Sequence, residues 1–248
     1  MGSSRLPGKV MRPICGQPML QRIVALTQGS SLIDKVVIAT TCEPEDEILV
    51  DWSKVWGCAG LKGPTHDILG RLCAVVKKYQ PDYLVSLTGD NPFIDGKFLD
   101  KVIELTLEGG HPYSATTHMQ HADNWCVSRE FPTGISVQVI SSQLLLESER
   151  KITCAKKRAG GLHGIYNNPA VDNKLAISLF YPFSELGDVS GLRMTVDTIE
   201  DLEVANIVHR EMEHDFSTQS AISFLTSHPE VTEINGHVCQ KLGLQANI

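Results

Sequence analysis

The sequence predicts an α/β protein with a three-layer, wound, mostly parallel sheet flanked by helices. Two observations carry that expectation. KVVIATT (35–41) and DYLVSLT (82–88) are short β-branched and apolar runs, the pattern of strands buried on both faces of a parallel sheet. Between and after them, apolar residues recur at helical spacing, as in Ile68, Leu69, Leu72, Val75 and Val76. No internal repeat or interdomain linker interrupts the alternation, so residues 1–248 are expected to form one domain.

In order, the chain opens with a loop, and Pro18 at a first helical position starts a helix to about residue 28. After the strand at 35–41 come a helix over 45–56 with acidic residues in its first turn, a short strand at 58–62, and a helix from about 65 ending near Lys77 and Lys78. The strand at 82–88 leads into a helix over 96–108, and a strand is expected at 113–117. Residues 118–133 read as loop, 134–140 alternate like a strand, and 142–156 read as a helix with a basic tail. Residues 157–172, rich in Gly, Asn and Lys, read as a loop. Late strands are expected at 174–181 and 193–196, helices at 199–214 and 218–226, and little pattern after Gly236.

Composition narrows the function. A net charge of −7 argues against a nucleic-acid binder, although basic residues concentrate near the N-terminus. Seven cysteines without a CxxC pair are the usage of a reducing compartment, and no apolar run approaches the roughly 18 residues that span a bilayer. A cytoplasmic protein with no membrane insertion is expected.

Three places carry candidate chemistry. MGSSRLPGK (1–9) brings small residues, hydroxyls, Arg5 and Lys9 together, a composition suited to polyphosphate and also to a solvated basic terminus or tag. Asp90 follows a strand directly, at the carboxyl end where wound sheets bind ligands, and could hold Mg²⁺ or serve as a turn or cap aspartate. Asp197 sits in a similar place before IEDLE, where ordinary N-capping competes with a metal role.

GSSRLPGK (2–9), LTGDNPFID (87–95) and MTVDTIEDLE (194–203), in this order, resemble the cytidylyltransferase family, particularly its spore-coat-polysaccharide type, alongside the acylneuraminate and 3-deoxy-manno-octulosonate activating enzymes. KVVIATTCEPED (35–46), GPTHDILGR (63–71) and, more loosely, FPTGISVQV (131–139) extend the likeness over about residues 1–210. The resemblance implies a nucleotidyltransferase fold and transfer of CMP from CTP to a sugar, often a keto sugar acid, with release of pyrophosphate for glycan or surface polysaccharide synthesis. It implies Ser3, Arg5 and Lys9 at the triphosphate, Gly63, Asp67 and Gly89 near the nucleotide, and Mg²⁺ on Asp90 and Asp197. Arg5, Lys9 and Asp90 would be the catalytic set. A homodimer is implied, with an arm somewhere in 118–170 reaching to the partner.

The chain departs from the family pattern in three ways. The family begins with a hydrophobic strand and an arginine ahead of the position of Met1, so either the start is internal or the sheet lacks that central strand. The sugar-side motif FPRGLDVEV stands here as FPTGISVQV, placing Thr133, Ser136 and Gln138 at the expected substrate contacts. An EHVTP segment is replaced by Ala159–Gly164. A changed acceptor and a catalytically impaired nucleotide-binding or assembly relative both fit. Weaker candidates are His118 and His121, without a third ligand, and Cys126, without a base partner. Trp52 and Trp56 read as packing residues, and the absence of a D-x-D motif lowers a glycosyltransferase reading.

Overall fold

The computed structural model describes residues 1–116, 131–166, 177–179 and 184–240. A folded opening loop leads through a hairpin, β1 (Pro13–Ile14) and β2 (Gln17–Pro18), into α1 (Met19–Gln28). Then follow β3 (Val37–Thr41), α2 (Glu47–Val55), β4 (Ala59–Gly63), α3 (Ile68–Tyr79), β5 (Tyr83–Ser86), α4 (Gly96–Glu108) and β6 (Tyr113–Ala115). After these come β7 (Gln138–Ser141), α5 (Ser142–Lys151), α6 (Ala155–Ala159), α7 (Leu162–Tyr166), β8 (Ile177–Leu179), α8 (Ile199–Glu211), α9 (Thr218–Ser227) and α10 (Pro229–Gly236).

β3 and β4 pair in parallel, Val37 opposite Ala59 through Thr41 opposite Gly63. The larger sheet has the order β5-β7-β6-β8. Its β7 is antiparallel to both β5 and β6, while β6 and β8 are parallel. Three strands therefore share one direction and β7 alone is reversed, as is common in wound sheets. Among the described residues the two sheets share no ladder.

The pleat sorts side chains into two layers. Ile140 lies opposite Leu84 and Tyr113 and joins a core with Leu69, Cys73, Val76, Leu145, Leu162 and Ile165, from α3, α5 and α7. Val139, one residue earlier, lies opposite Val85 and Ser114 and joins a core with Met19, Ile23, Leu99, Val102, Val204 and Val208, from α1, α4 and α8. Helices thus cover both faces, the three-layer arrangement expected. Each fully buried large apolar side chain in these layers contributes about 1.5–3 kcal/mol.

Several expectations change. The helix expected to reach residue 156 stops at Lys151, because Ile152 turns extended (φ −91°, ψ 101°) to bury its side chain. The loop expected over 157–172 contains α6 and α7 in its described part; Arg158 ties α6 to the chain around it. The strand expected over 134–140 begins only at Gln138, since Gly134 has φ +105°, outside strand geometry. The strand expected at 193–196 is reduced to one parallel bridge, Thr133 to Arg193. α10 was not anticipated, although Pro229 at its first turn is a start signal. Trp56 is buried as expected and stacks on Trp52 at 5.7 Å, but Trp52 is exposed. His118, His121 and Cys126, with residues 118–130 and 167–170 of the expected arm in 118–170, lie outside the described residues.

Candidate active site

The opening loop folds back on itself. The carbonyl of Met1 accepts from the amides of Ser3 and Gly8, both at 3.1 Å, and Leu6 is buried in the core. The Met1 ammonium pairs with Asp46, whose carboxylate also accepts from Thr40 (2.8 Å) and Thr41, at the carboxyl end of β3. These contacts bring Lys9, in the helical turn Lys9–Met11, over the end of the larger sheet.

The Lys9 ammonium there bridges two carboxylates, 2.7 Å from Asp90 Oδ2 and 2.8 Å from Asp197 Oδ1. Asp90 lies in the turn after β5; its carbonyl accepts from the Val196 amide (2.9 Å), which lays the two acidic segments side by side. Its Oδ1 accepts from Thr88 Oγ1 at 2.5 Å. Asp197 Oδ2 takes Arg5 Nη2 at 2.7 Å and Arg193 Nη2 at 3.0 Å. Burial pushes the Asp197 carboxyl up, but Lys9, Arg5 and Arg193 outweigh it and hold it below the usual carboxylate range.

Capping does not consume Asp197. Thr198 is the N-cap of α8, and its hydroxyl and the Asp201 carboxylate form a capping box. That leaves Asp197 turned toward Lys9. A divalent cation could be held here by Asp90 and Asp197; among the described residues no cluster of three or more metal-ligating side chains occurs.

The other sequence-derived candidates are placed as follows. Ser3 Oγ accepts from the Leu6 amide at 3.4 Å, inside the same loop. Gly89 approaches Val10 and Leu20, beneath the Lys9 turn. Gly63 ends β4, where a Cβ would come within 2.6 Å of Arg71 Cγ, so only glycine lets that arginine stem cross. Burial pushes the Arg71 guanidinium down, against the opposing charges of Asp46 and Asp67. Asp67 is the N-cap of α3, accepting from the Gly70 amide at 2.8 Å, and pairs with Arg158 at 2.6 Å. Thr133 exchanges backbone hydrogen bonds with Leu192 and Met194. Ser136 donates its amide to Gly134 O (3.0 Å), and Gln138 Nε2 lies 3.1 Å from His163 Nε2. Gln138 stands opposite Ser86 and Ala115, at the carboxyl ends of β5 and β6.

The structure thus gathers Arg5, Lys9, Asp90 and Asp197 directly, while Asp67 belongs to a second polar group with Arg158. Sequence reasoning gave no role to Arg193, Asp201 or Asn235, which lie beneath Asp197; the available signals were the proximity of Arg193 to Asp197 and the Thr-x-x-Asp spacing of Thr198 and Asp201.

Comparisons with known proteins follow the same lines. A structure of a cytidylyltransferase from Leptospira borgpetersenii serovar Hardjo-bovis superposes with a TM-score of 0.79 at 26% identity, covering 98% of this chain and 94% of that one. CMP:2-keto-3-deoxy-manno-octonic acid synthetase, solved with CTP, shares the fold with a TM-score of 0.59 at 18% identity, over 85% of this chain and 95% of its own. In sequence, the spore coat polysaccharide biosynthesis protein SpsF of Bacillus subtilis is 29% identical over 238 residues, 93% of this chain and 92% of that protein. The family model for cytidylyltransferases matches residues 1–170. The chain belongs to the cytidylyltransferase family.

Proposed function

We propose that this protein transfers CMP from CTP to a hydroxyl of a sugar, a keto sugar acid or related sugar, and releases pyrophosphate in the making of a glycan or surface polysaccharide. The observation that carries the reading is the Lys9 bridge: a basic N-terminal loop meets two aspartates from distant parts of the chain in one polar cluster. Such a cluster suits a triphosphate with its cation. The likeness to SpsF and to a synthetase solved with CTP supports the choice of nucleotide and acceptor class.

In this reading the sugar oxygen forms a bond to the α-phosphorus, the bond between α- and β-phosphates breaks, pyrophosphate leaves with that electron pair, and the hydroxyl proton is released. No side-chain nucleophile is needed; positioning and charge neutralisation suffice. Arg5 and Lys9 bind phosphate oxygens and offset their charge. Asp90 and Asp197 fit Mg²⁺, because they already converge on one cation and Mg²⁺ takes only one or two protein carboxylates besides water and phosphate. Bound there, Mg²⁺ would supply electrostatic stabilisation of the triphosphate. No helix among the described residues is long and apolar enough to cross a membrane, and the six described cysteines are all free, which supports the cytoplasm as the location.

The test is CTP-dependent pyrophosphate release over a panel of keto-acid and amino sugars. Release with at least one acceptor, lost in Asp90→Asn, is the expected result. Tight CTP binding with no product from any acceptor would instead identify a binding or assembly relative.

A further inference from the structure

Asp197 divides its two oxygens between different neighbours. Oδ1 faces Lys9, while Oδ2 is held by Arg5 and Arg193. Arg5 comes from the opening loop and is about one-fifth exposed, whereas Arg193 is buried at 8%. The Arg193 guanidinium gives Nε to Asp201 Oδ1 (2.8 Å), Nη2 to Asp201 Oδ2 and Asp197 Oδ2 (both 3.0 Å), and Nη1 to Gln240 Oε1 (2.5 Å).

Asp201, only 1% exposed, also accepts from the amides of Asp197 (2.9 Å) and Thr198 (3.0 Å). Asn235 of α10, 2% exposed, completes the group by donating to Asp201 Oδ1 (3.0 Å) and to the Arg193 carbonyl (3.1 Å). A buried guanidinium with four of its five N–H donors engaged is held against swinging, and so is the carboxylate oxygen it holds.

From this geometry we infer that Arg193 is a positioning residue: locked by Asp201 and by Asn235 of α10, it pins Asp197 Oδ2 so that Oδ1 is presented to the cation of the site. The helix α10 is then part of the site's machinery, although the family match ends at residue 170, before any of these residues. Lysine could not replace Arg193, since an ammonium on a flexible stem lacks the planar fork that joins Asp197 and Asp201 at once. The inference rests on reading Lys9, Asp90 and Asp197 as a metal–nucleotide site.

The experiment measures Mn²⁺ affinity by electron paramagnetic resonance, with and without CTP, on the full chain and its Arg193→Lys and Asn235→Ala variants. Circular dichroism monitors folding, and CTP binding without metal serves as control. Hydrogen-bonding partners behind metal ligands set affinity by about 10- to 100-fold, so a loss of that size is expected in Arg193→Lys. A smaller loss in the same direction is expected in Asn235→Ala, with metal-free CTP binding changed less than about twofold in both. Unchanged Mn²⁺ affinity in a folded Arg193→Lys protein overturns the inference. If that variant does not fold, Asn235→Ala decides: weakened Mn²⁺ binding supports the inference and unchanged binding overturns it. A parent protein that binds no Mn²⁺ even with CTP overturns the reading of the site itself, a different failure from unchanged variants of a metal-binding parent.

Discussion

Lys9 Nζ and Asp197 Oδ1 lie 2.8 Å apart although 188 positions separate them in the chain, and the same ammonium reaches Asp90. Without Lys9 the two carboxylates would lose the ammonium between them, although Arg5 and Arg193 still pair with Asp197, and in the proposed reaction the triphosphate would lose a positive partner. Lys9→Met is expected to lower pyrophosphate release by about 10²- to 10³-fold, the usual cost of removing a donor aimed at developing charge, with the circular dichroism spectrum retained. Activity within tenfold of the parent would remove Lys9 from the catalytic set.

The second polar group makes a pH prediction. Arg158 gives Nε (3.0 Å) and Nη2 (2.6 Å) to Asp67 Oδ2, and Nη1 to the carbonyls of Glu149 (3.3 Å) and Ile152 (3.1 Å). Burial pushes the Asp67 carboxyl up, but Arg158 and the Gly70 amide outweigh it and hold it below its ordinary 3.8. A lowered carboxyl contributes stability that is complete above the unfolded value and is lost as pH falls through the lower folded one. Amide exchange in α6 is therefore expected to quicken, relative to intrinsic rates, only below about pH 4. In Asp67→Asn it is fast already at neutral pH. The pair is about a quarter exposed on each side, so Arg158→Ala should cost only about 1 kcal/mol from the ion pair.

His209 provides a separate window. Its ring is 2% exposed, stacks on Phe216 at 4.3 Å and Phe93 at 5.6 Å, and donates Nε2–H to the Pro92 carbonyl at 2.9 Å. Burial and the nearby Arg22 charge push it down to about 3. Between about 6.5 and 3 the unfolded chain binds a proton that the folded chain refuses, so stability falls with pH by at most about 1.4 kcal/mol per unit. Urea unfolding at pH 7, 6 and 5 should show a steeper loss for the parent than for His209→Phe. Parallel pH profiles would mean that the folded protein accepts the proton.

Gly134 tests the seam that carries Arg193. Its φ of +105° disfavours any Cβ, and a Cβ there would stand 2.3 Å from Met194 O. Gly134→Ala should cost about 2–4 kcal/mol through strain and overpacking, lowering Tm by about 5–10 °C. A Tm within 2 °C of the parent would show that the Thr133–Arg193 bridge tolerates displacement.

Much of the fold was legible because its elements are locally specified. The β-branched runs at 35–41 and 82–88 became β3 and β5, and the helix expected over 96–108 is α4 to the residue. Boundaries failed where a distant partner set the backbone: Ile152 ended α5 to reach the core, and Arg158 organised α6 through Asp67 and two carbonyls. β7 was expected as a strand, but its reversed direction is a property of its pairing with β5 and β6 and leaves no mark in its own residues.

The same division runs through the site. By itself the sequence determined which residue types stood at strand ends and which loop carried positive charge, because those depend on composition and short-range pattern. Only the tertiary structure decided that Lys9 bridges Asp90 and Asp197 while Thr198 and Asp201 cap α8. It alone turned Asp67 toward Arg158 and placed Arg193, Asp201 and Asn235 beneath Asp197. The physical reason is that a carboxylate in a turn has several equally good local partners, and the choice falls to whichever cation long-range packing carries into hydrogen-bonding range.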